Sequence, residues 1–197
     1  MTRNPPYDRD TALEAAETLF RHKGYHATSL KDLEVALNMR PGSIYAAFKS
    51  KENLFLLALD RYARKEQASL ACQLEEGQEA LQIVQAHIRA IAAEWAAEEF
   101  GGCFLVNTLL EVTPEQDTIR DRAQTLAREV QSAFRDTFQH AIDAGELPAD
   151  TDPAALAQWY QMQVFGLRVL CSMTLNCADI IDAAESVAQS IENKRAA

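Results

Sequence analysis

The sequence predicts an all-α protein of about nine helices, and three observations carry that prediction. Apolar residues recur at intervals of three and four along nearly the whole chain, which lines them up on one face of a helix. Only 7 Gly and 6 Pro among 197 residues leave little material for the many tight turns of an all-β fold. Ser, Asp or Pro opens several of the periodic runs, and Gly, Asn or Pro closes them, which is how helices begin and end.

Residues 1–7 read as a loose arm. Ala12, Ala16, Leu19 and Phe20 then fall at i, i+4, i+7 and i+8, predicting a helix from about Asp10 to His22 that stops at Gly24. Thr28 or Ser29 can cap a second helix, since Ser29-x-x-Asp32 fits a capping box and Leu30, Leu33 and Leu37 share a face. Asn38 suits a left-handed turn. Pro41 belongs in the first turn of a third, short helix ending near Phe48, and Ser50 caps a fourth from Lys51 to about Gln73.

Beyond the Glu75-Glu76-Gly77 break, Leu81, Val84, Ile88, Ile91 and Trp95 stripe the next helix. Gly101-Gly102 interrupts. A short apolar helix then runs through Glu111 and is closed by Pro114. From about Glu115 to Ala144, Ile119, Ala123, Leu126, Val130, Ala133, Phe134 and Phe138 mark a long amphipathic helix. After the connector from Gly145 to Pro148, Asp152-Pro153 opens a helix that is apolar on nearly every face as far as Cys177. The last helix carries Ile180, Ala184, Val187 and Ile191.

Composition narrows the class. Hydrophobic residues at 48% and charged residues at 24% are the balance of a globular chain that buries a core. No run of 18 apolar residues predicts a membrane span, and Met1-Thr2-Arg3-Asn4-Pro5-Pro6 carries no apolar signal segment, so a cytoplasmic location is expected. Cys72, Cys103, Cys171 and Cys177 lack C-x-x-C spacing and read as free thiols rather than zinc ligands. There is no G-x-S-x-G, no glycine-rich phosphate loop and no H-E-x-x-H. His22 and His26 are four apart, but Gly24 between them argues against a metal pair. No enzyme, cofactor or metal site is expected.

The net charge of −10 speaks against a polyanionic partner until its distribution is considered. Residues 1–65 hold 11 Lys and Arg against 8 Asp and Glu, whereas residues 66–197 hold 8 against 21. Only the N-terminal third is suited to meet a polyanion.

That third contains two helices joined by a tight turn, the second short and opened by Pro41-Gly42-Ser43. This is a helix-turn-helix, whose second helix enters the major groove of DNA N-terminus first. Thr28, Ser29, Arg40, Ser43, Tyr45 and Lys51 can donate to phosphate, which sets register. Reading of base edges falls to Arg40, Gly42, Ser43 and Ala46, whose methyl can meet a thymine methyl. Without DNA, the same three helices would serve as a cap packed on another protein.

Phe20, Gly24, Tyr25, Thr28, Ser29, Leu33, Ala36, Gly42, Ser43, Ile44, Tyr45, Phe48, Lys51 and Leu54 match the N-terminal pattern of the TetR family, and residues 10–60 resemble that domain. Glu34, Asn38 and Arg40 depart from the pattern at positions usually small, glycine, and Ser or Thr. Asn38 still allows the turn, whereas Arg40 changes what is read. The resemblance implies a DNA-binding domain over 1–50, a connecting helix over about 51–73, and a regulatory and dimerisation domain over 51–197. It further implies a homodimeric repressor of a palindromic double-stranded DNA operator, released by a small-molecule effector. The effector site would lie among the middle helices, lined by His87, Ile91, Trp95, Cys103, Phe104, Asn107, Phe134, Phe138 and Met162. Gly102-Cys103-Phe104 also resembles the Gly-Cys-Leu segment of TetR-type repressors that control electrophile-responsive reductase operons. Cys103 is therefore either a thiol sensor or a buried small hydrophobe.

Dimerisation follows from burial. The helix apolar all round at 153–177 and the striped helix at 179–193 hold more apolar surface than one bundle of this size covers. Pairing with a two-fold mate resolves this and supplies two reading heads. Trp159, Phe165, Leu167, Leu170, Ile180, Val187 and Ile191 are the expected contacts.

Overall fold

Several helices begin where the sequence offers a cap. In the computed structural model, which describes residues 8–96, 103–113, 115–173 and 176–196 (the side chains of residues 95, 96 and 172 excepted), nine helices and no strand are found. They are α1 (Arg9–Ala27), α2 (Leu30–Leu37), α3 (Pro41–Phe48), α4 (Lys51–Glu75), α5 (Ala80–Ala96), α6 (Phe104–Glu111), α7 (Asp117–Asp143), α8 (Pro153–Ser172) and α9 (Cys177–Glu192). The Asp8 carboxylate accepts from Asp10 N and Thr11 N at the head of α1, and Asp152 does the same for Ala154 N and Ala155 N at the head of α8. Asn176 caps α9 by accepting from Asp179 N at 3.0 Å.

Two boundaries differ from the sequence expectation. The first helix does not end at His22 but runs to Ala27 across a break at Gly24, where φ is +78° and ψ is 176°. That conformation suits glycine alone, and a partner 85 residues downstream holds the chain beyond it. The helix expected to continue to Cys177 ends at Ser172 instead, because Asn176 with Asp179 three residues on forms a new start there. A third start has a cap no local pattern announces. The Glu146 carboxylate accepts from Ala80 N at 2.8 Å and Leu81 N at 2.9 Å, satisfying the exposed donors of α5 from 65 residues away.

The chain divides into two compact units. One comprises the described residues up to Arg64 together with Phe104–Leu126, and the other Lys65–Cys103 with Ala127–Ala197. The domain division read from the sequence put residues 104–126 with the regulatory part, whereas by compactness they lie with the DNA-type helices.

The core of the first unit is a chain of aromatic rings set edge to face. Phe55 on α4 meets Phe20 at 4.9 Å, Tyr25 at 5.0 Å and Phe104 at 5.1 Å between centroids, and Phe104 meets Tyr62 at 5.9 Å. Phe20, Phe55 and Phe104 are buried to 1% exposure or less. Geometry of this kind adds about 0.5–1.5 kcal/mol per pair beyond the burial itself. In the second unit α9 lays Ile180, Ala184, Ala188 and Ile191, all at most 1% exposed, inward beside α5, and Arg89 on α5 clasps Glu185 on α9 through two bonds of 2.7 and 2.8 Å. No helix among the described residues is long and apolar enough to cross a membrane.

Candidate nucleic-acid interface

The capping box expected at Ser29 is present, and it fixes the entry to α2. Asp32 N donates to Ser29 Oγ at 3.2 Å, while Ser29 N and Oγ donate to the Asp32 carboxylate at 2.7 and 2.6 Å. Lys23 pairs with the same carboxylate at 2.7 Å. Lys23 and the Ser29 donors together hold Asp32 far below the usual carboxylate range. At the far end Asn38 takes the left-handed conformation, φ 50° and ψ 42°, and Met39 N closes the turn on Glu34 O at 3.2 Å. Met39 itself is buried at 8% exposure, which pins the turn to the core.

The turn delivers α3 with its inner and outer faces sharply separated. Ile44 and Phe48 point inward at 3% and 0% exposure. Arg40, Gly42, Tyr45 and Ala46 face solvent, and Pro41 and Ser43 are half-buried. Arg40 stands at the N-cap without a side-chain cap bond, and Pro41 has no N–H to satisfy. A Cβ built on Gly42 would meet nothing within 4 Å, so the head of α3 is open to close approach. Arg9 on α1 braces the opposite end by donating to Ala47 O at 3.2 Å and lying 5.0 Å over the Phe48 ring.

Three of the expected phosphate donors are engaged within the protein. Thr28 is corrected: it is 1% exposed, and its hydroxyl donates to Gly24 O at 2.6 Å, so it closes the α1 break instead of meeting a ligand. Ser29 lies at the surface, but its hydroxyl proton goes to Asp32, so the expected free donor is a helix cap. Lys51 is half-buried, its ammonium 4.6 Å above the Tyr25 ring. Burial lowers its pKa, against the opposing pull of the Glu111 and Asp32 carboxylates.

The residues expected to line an effector site divide between the units. His87, Phe134 and Phe138 come together in the second unit around Tyr160, a residue the sequence reading missed. The Phe134 and Phe138 rings stand 4.8 and 5.8 Å from Tyr160, and His87 Nδ1 is 2.7 Å from its hydroxyl. Tyr160 is fully buried and donates to Val84 O at 2.7 Å. Burial first, then the Glu66 carboxylate, pushes its hydroxyl well above the ordinary tyrosine range, with Arg168 opposing. The Glu66 carboxylate in turn lies 3.0 Å from His87 Nε2 and accepts from Arg168 at 3.3 Å. Ile91 is buried nearby on α5, one turn beyond His87.

Phe104 and Asn107 belong to the other unit, where Phe104 is a core ring. Met162 is corrected from pocket wall to surface residue, being 56% exposed on α8. Cys103 is buried at 3% exposure. The side chain of Trp95 and the Gly101-Gly102 pair lie outside the described residues.

Among the expected dimer contacts, Leu167, Ile180 and Ile191 are corrected. At 3%, 0% and 1% exposure they are buried within the protomer: Leu167 lies on the inward face of α8, and α9 spends the stripe that holds Ile180 and Ile191 on its own unit. Trp159, Phe165 and Val187 are half-buried, with Lys194 standing 5.5 Å over the Trp159 ring, and Leu170 is exposed. The sequence reading missed Val169, Met173 and Ile181, which are exposed by 43%, 53% and 48%.

Among the described residues, no group of three His, Cys, Asp or Glu could hold a metal ion.

Comparison with known proteins places this arrangement. The family profile described as bacterial regulatory proteins, tetR family, matches residues 12–58, and that of the tetracyclin repressor-like C-terminal domain matches residues 80–167. The chain is 30% identical over 168 residues to the HTH-type transcriptional repressor ComR of Escherichia coli, spanning 83% of this chain and 79% of that one. It is 28% identical to the HTH-type transcriptional regulator YezE of Bacillus subtilis over 95% of this chain and 99% of the relative. Among solved structures it is similar to a cysteine mutant of the TetR family transcriptional regulator CifR complexed with 26-base-pair double-strand operator DNA. The TM-score there is 0.81 at 34% identity, over 95% of this chain and 98% of CifR.

Proposed function

Because this chain belongs to the TetR family of transcriptional regulators, we propose that two copies of it occupy a palindromic operator in the cytoplasm and repress transcription until a small effector releases them. The observation that carries this reading is the open outer face of α3. Arg40, Gly42 and Ala46 are presented to base edges from a helix end whose N–H groups no side chain covers, and Tyr45 and Lys51 flank them for phosphate. Because the hydroxyls of Thr28 and Ser29 are occupied, the grip on the backbone rests on Arg40, Ser43, Tyr45 and Lys51. The repressor name of ComR and the operator complex of CifR support the same reading.

The test begins with a duplex recovered by repeated selection from a random library. Binding of that duplex is expected to weaken steeply with salt. Arg40→Ala is expected to cost about 1–3 kcal/mol and to relax preference at one base position, while Tyr45→Ala weakens binding on all sequences alike. Failure of the selection to enrich any sequence, with salt-insensitive binding, would remove the reading.

The second copy is proposed to dock on the exposed apolar face of α8 and α9. Met162, Val169 and Leu170 make a stripe on α8 beside the open Gly166, Met173 at its C-cap is exposed as well, and Ile181 stands exposed on α9. Methionine-rich, partly aliphatic surface of this extent suits a helix-on-helix interface. Val169→Glu buries an unpaired carboxylate there and is expected to weaken dimerisation at least a hundredfold, about 3 kcal/mol, in sedimentation equilibrium. An unchanged dissociation constant would move the interface elsewhere.

Release needs an effector that favours the DNA-incompetent state, and a tenfold loss of affinity needs about 1.4 kcal/mol of coupling. The burial of Cys103 supports a reversible effector over covalent chemistry at that thiol.

A further inference from the structure

α6 contributes to the first unit a carboxylate that does more than end a helix. Glu111 Oε2 accepts from Tyr25 N at 2.9 Å, and Oε1 accepts from His26 N at 2.6 Å. These are the two donors immediately beyond the Gly24 break, so one side chain satisfies consecutive backbone groups that the break leaves without helical partners. The site is shaped for it. A Cβ at Gly24 would stand 2.6 Å from Glu111 Oε2 and 2.9 Å from its carboxyl carbon, so the glycine at the break and the carboxylate above it require each other. Gln116, on the turn after α6, adds a second hold: its Oε1 accepts from Thr113 N at 3.1 Å and lies 2.9 Å from His26 Nε2.

Two groups of the DNA-facing surface hang on the clamped segment. The Tyr25 ring, fixed by its own backbone bond to Glu111 and by the edge of Phe55, is the platform under the Lys51 ammonium at 4.6 Å. Gly24 O receives the Thr28 hydroxyl at 2.6 Å, which sets the residue before the Ser29 cap and so the start of α2.

We infer that Glu111 is a positioning residue for DNA binding, its carboxylate clamping the Gly24 break so that Lys51 and the head of α2 are held in the geometry that meets phosphate. The inference rests on the proposed DNA-binding function, and it makes α6 a structural part of the reading unit. Glu111 touches no DNA in this account. It acts through Tyr25 and Lys51. Lysine chemistry makes the arrangement sensible: a flexible four-carbon stem is costly to order on binding, and a ring beneath the ammonium pre-orders it.

The experiment uses the full chain and two readouts. In the free protein, the Lys51 Cε proton shifts are expected to be displaced upfield by the Tyr25 ring, and Glu111→Gln is expected to return them toward the values of an unstacked lysine. On the selected duplex, Glu111→Gln is expected to weaken binding about tenfold, the scale of losing one hydrogen bond to a charged group, and to lower the salt slope by about one phosphate contact. Lys51→Ala is expected to cost less in the Glu111→Gln background than in the parent, whereas Arg40→Ala costs the same in both. A merely structural role for Glu111 would leave the Lys51 and Arg40 penalties equally unchanged by background, and that result, or unmoved Lys51 shifts, overturns the inference. Should Glu111→Gln not fold at the assay temperature, Glu111→Asp keeps the charge, shortens the reach by one methylene, and is expected to act in the same direction. Failure of the parent itself to bind any selected duplex would strike the DNA-binding reading instead, while the shift measurement still decides the clamp.

Discussion

Phe55→Ala is expected to destabilise the first unit by about 3–5 kcal/mol, a large fraction of the stability a domain of this size has. Phe55 has no exposed surface and is the ring on which Phe20, Tyr25 and Phe104 all converge. Truncation removes the transfer energy of the side chain, opens a cavity in the packing of α1, α4 and α6, and deletes three edge-to-face pairs at once. Amide exchange followed residue by residue is the measurement, since it reports the first unit separately from the second. Protection is expected to collapse across α1 to α3 and α6, and DNA binding to vanish with it. A loss below about 1 kcal/mol would mean that the aromatic chain is not the core of this unit.

The second large effect is expected at Glu66. This carboxylate answers both Arg168, only 4% exposed, and the half-buried His87, so Glu66→Ala takes from an interior guanidinium a carboxylate that accepts from it at 3.3 Å. Breaking one side of a buried pair costs about 3–5 kcal/mol, and the partial exposure of Glu66 puts the expected loss near the lower end, about 3 kcal/mol. Removing both charges is expected to cost less than the first step alone, so Glu66→Met with Arg168→Met should recover much of the loss. Urea denaturation of the two single variants and the double variant decides it. Equal and additive losses would show that the pair does not act as a unit.

Much of the architecture was legible because helices declare themselves locally. Ser29 with Asp32, Asn38 in the left-handed turn, Pro41 at the start of α3 and Asp152-Pro153 at the start of α8 are short-range chemistry, visible within four residues. The outward face of α3 followed from the same logic, since Ile44 and Phe48 are four apart and take the inner side. What stayed hidden was everything set by partners far along the chain. Glu111 and Glu146 each reach across more than 60 residues to hold backbone N–H groups, and a glutamate at such a distance looks like any other surface charge. Thr28 is a local case instead: its hydroxyl donates to Gly24 O, four residues back, as threonine does near helix ends, so it is engaged before any ligand arrives. The apolar stripe of α9 was legible as a stripe, but periodicity does not say whether the surface it demands belongs to the same protomer or to a partner. Ile180 and Ile191 turn out to be answered by the protomer itself.

The split composition of the first unit also constrains how the chain can be made. Its helices α1 to α3 and the start of α4 leave the ribosome early, but Phe104, which completes the ring chain, and Glu111, which clamps the Gly24 break, are synthesised only after the intervening residues 65–103. At about 5–20 residues per second that interval lasts roughly 2–8 seconds, long compared with the folding of a small helical unit. The first unit must therefore wait, incomplete, until residues 65–103 of the second unit have followed it. A newborn chain thus completes its helix-turn-helix unit while α8 and α9 of the other unit are still to be made.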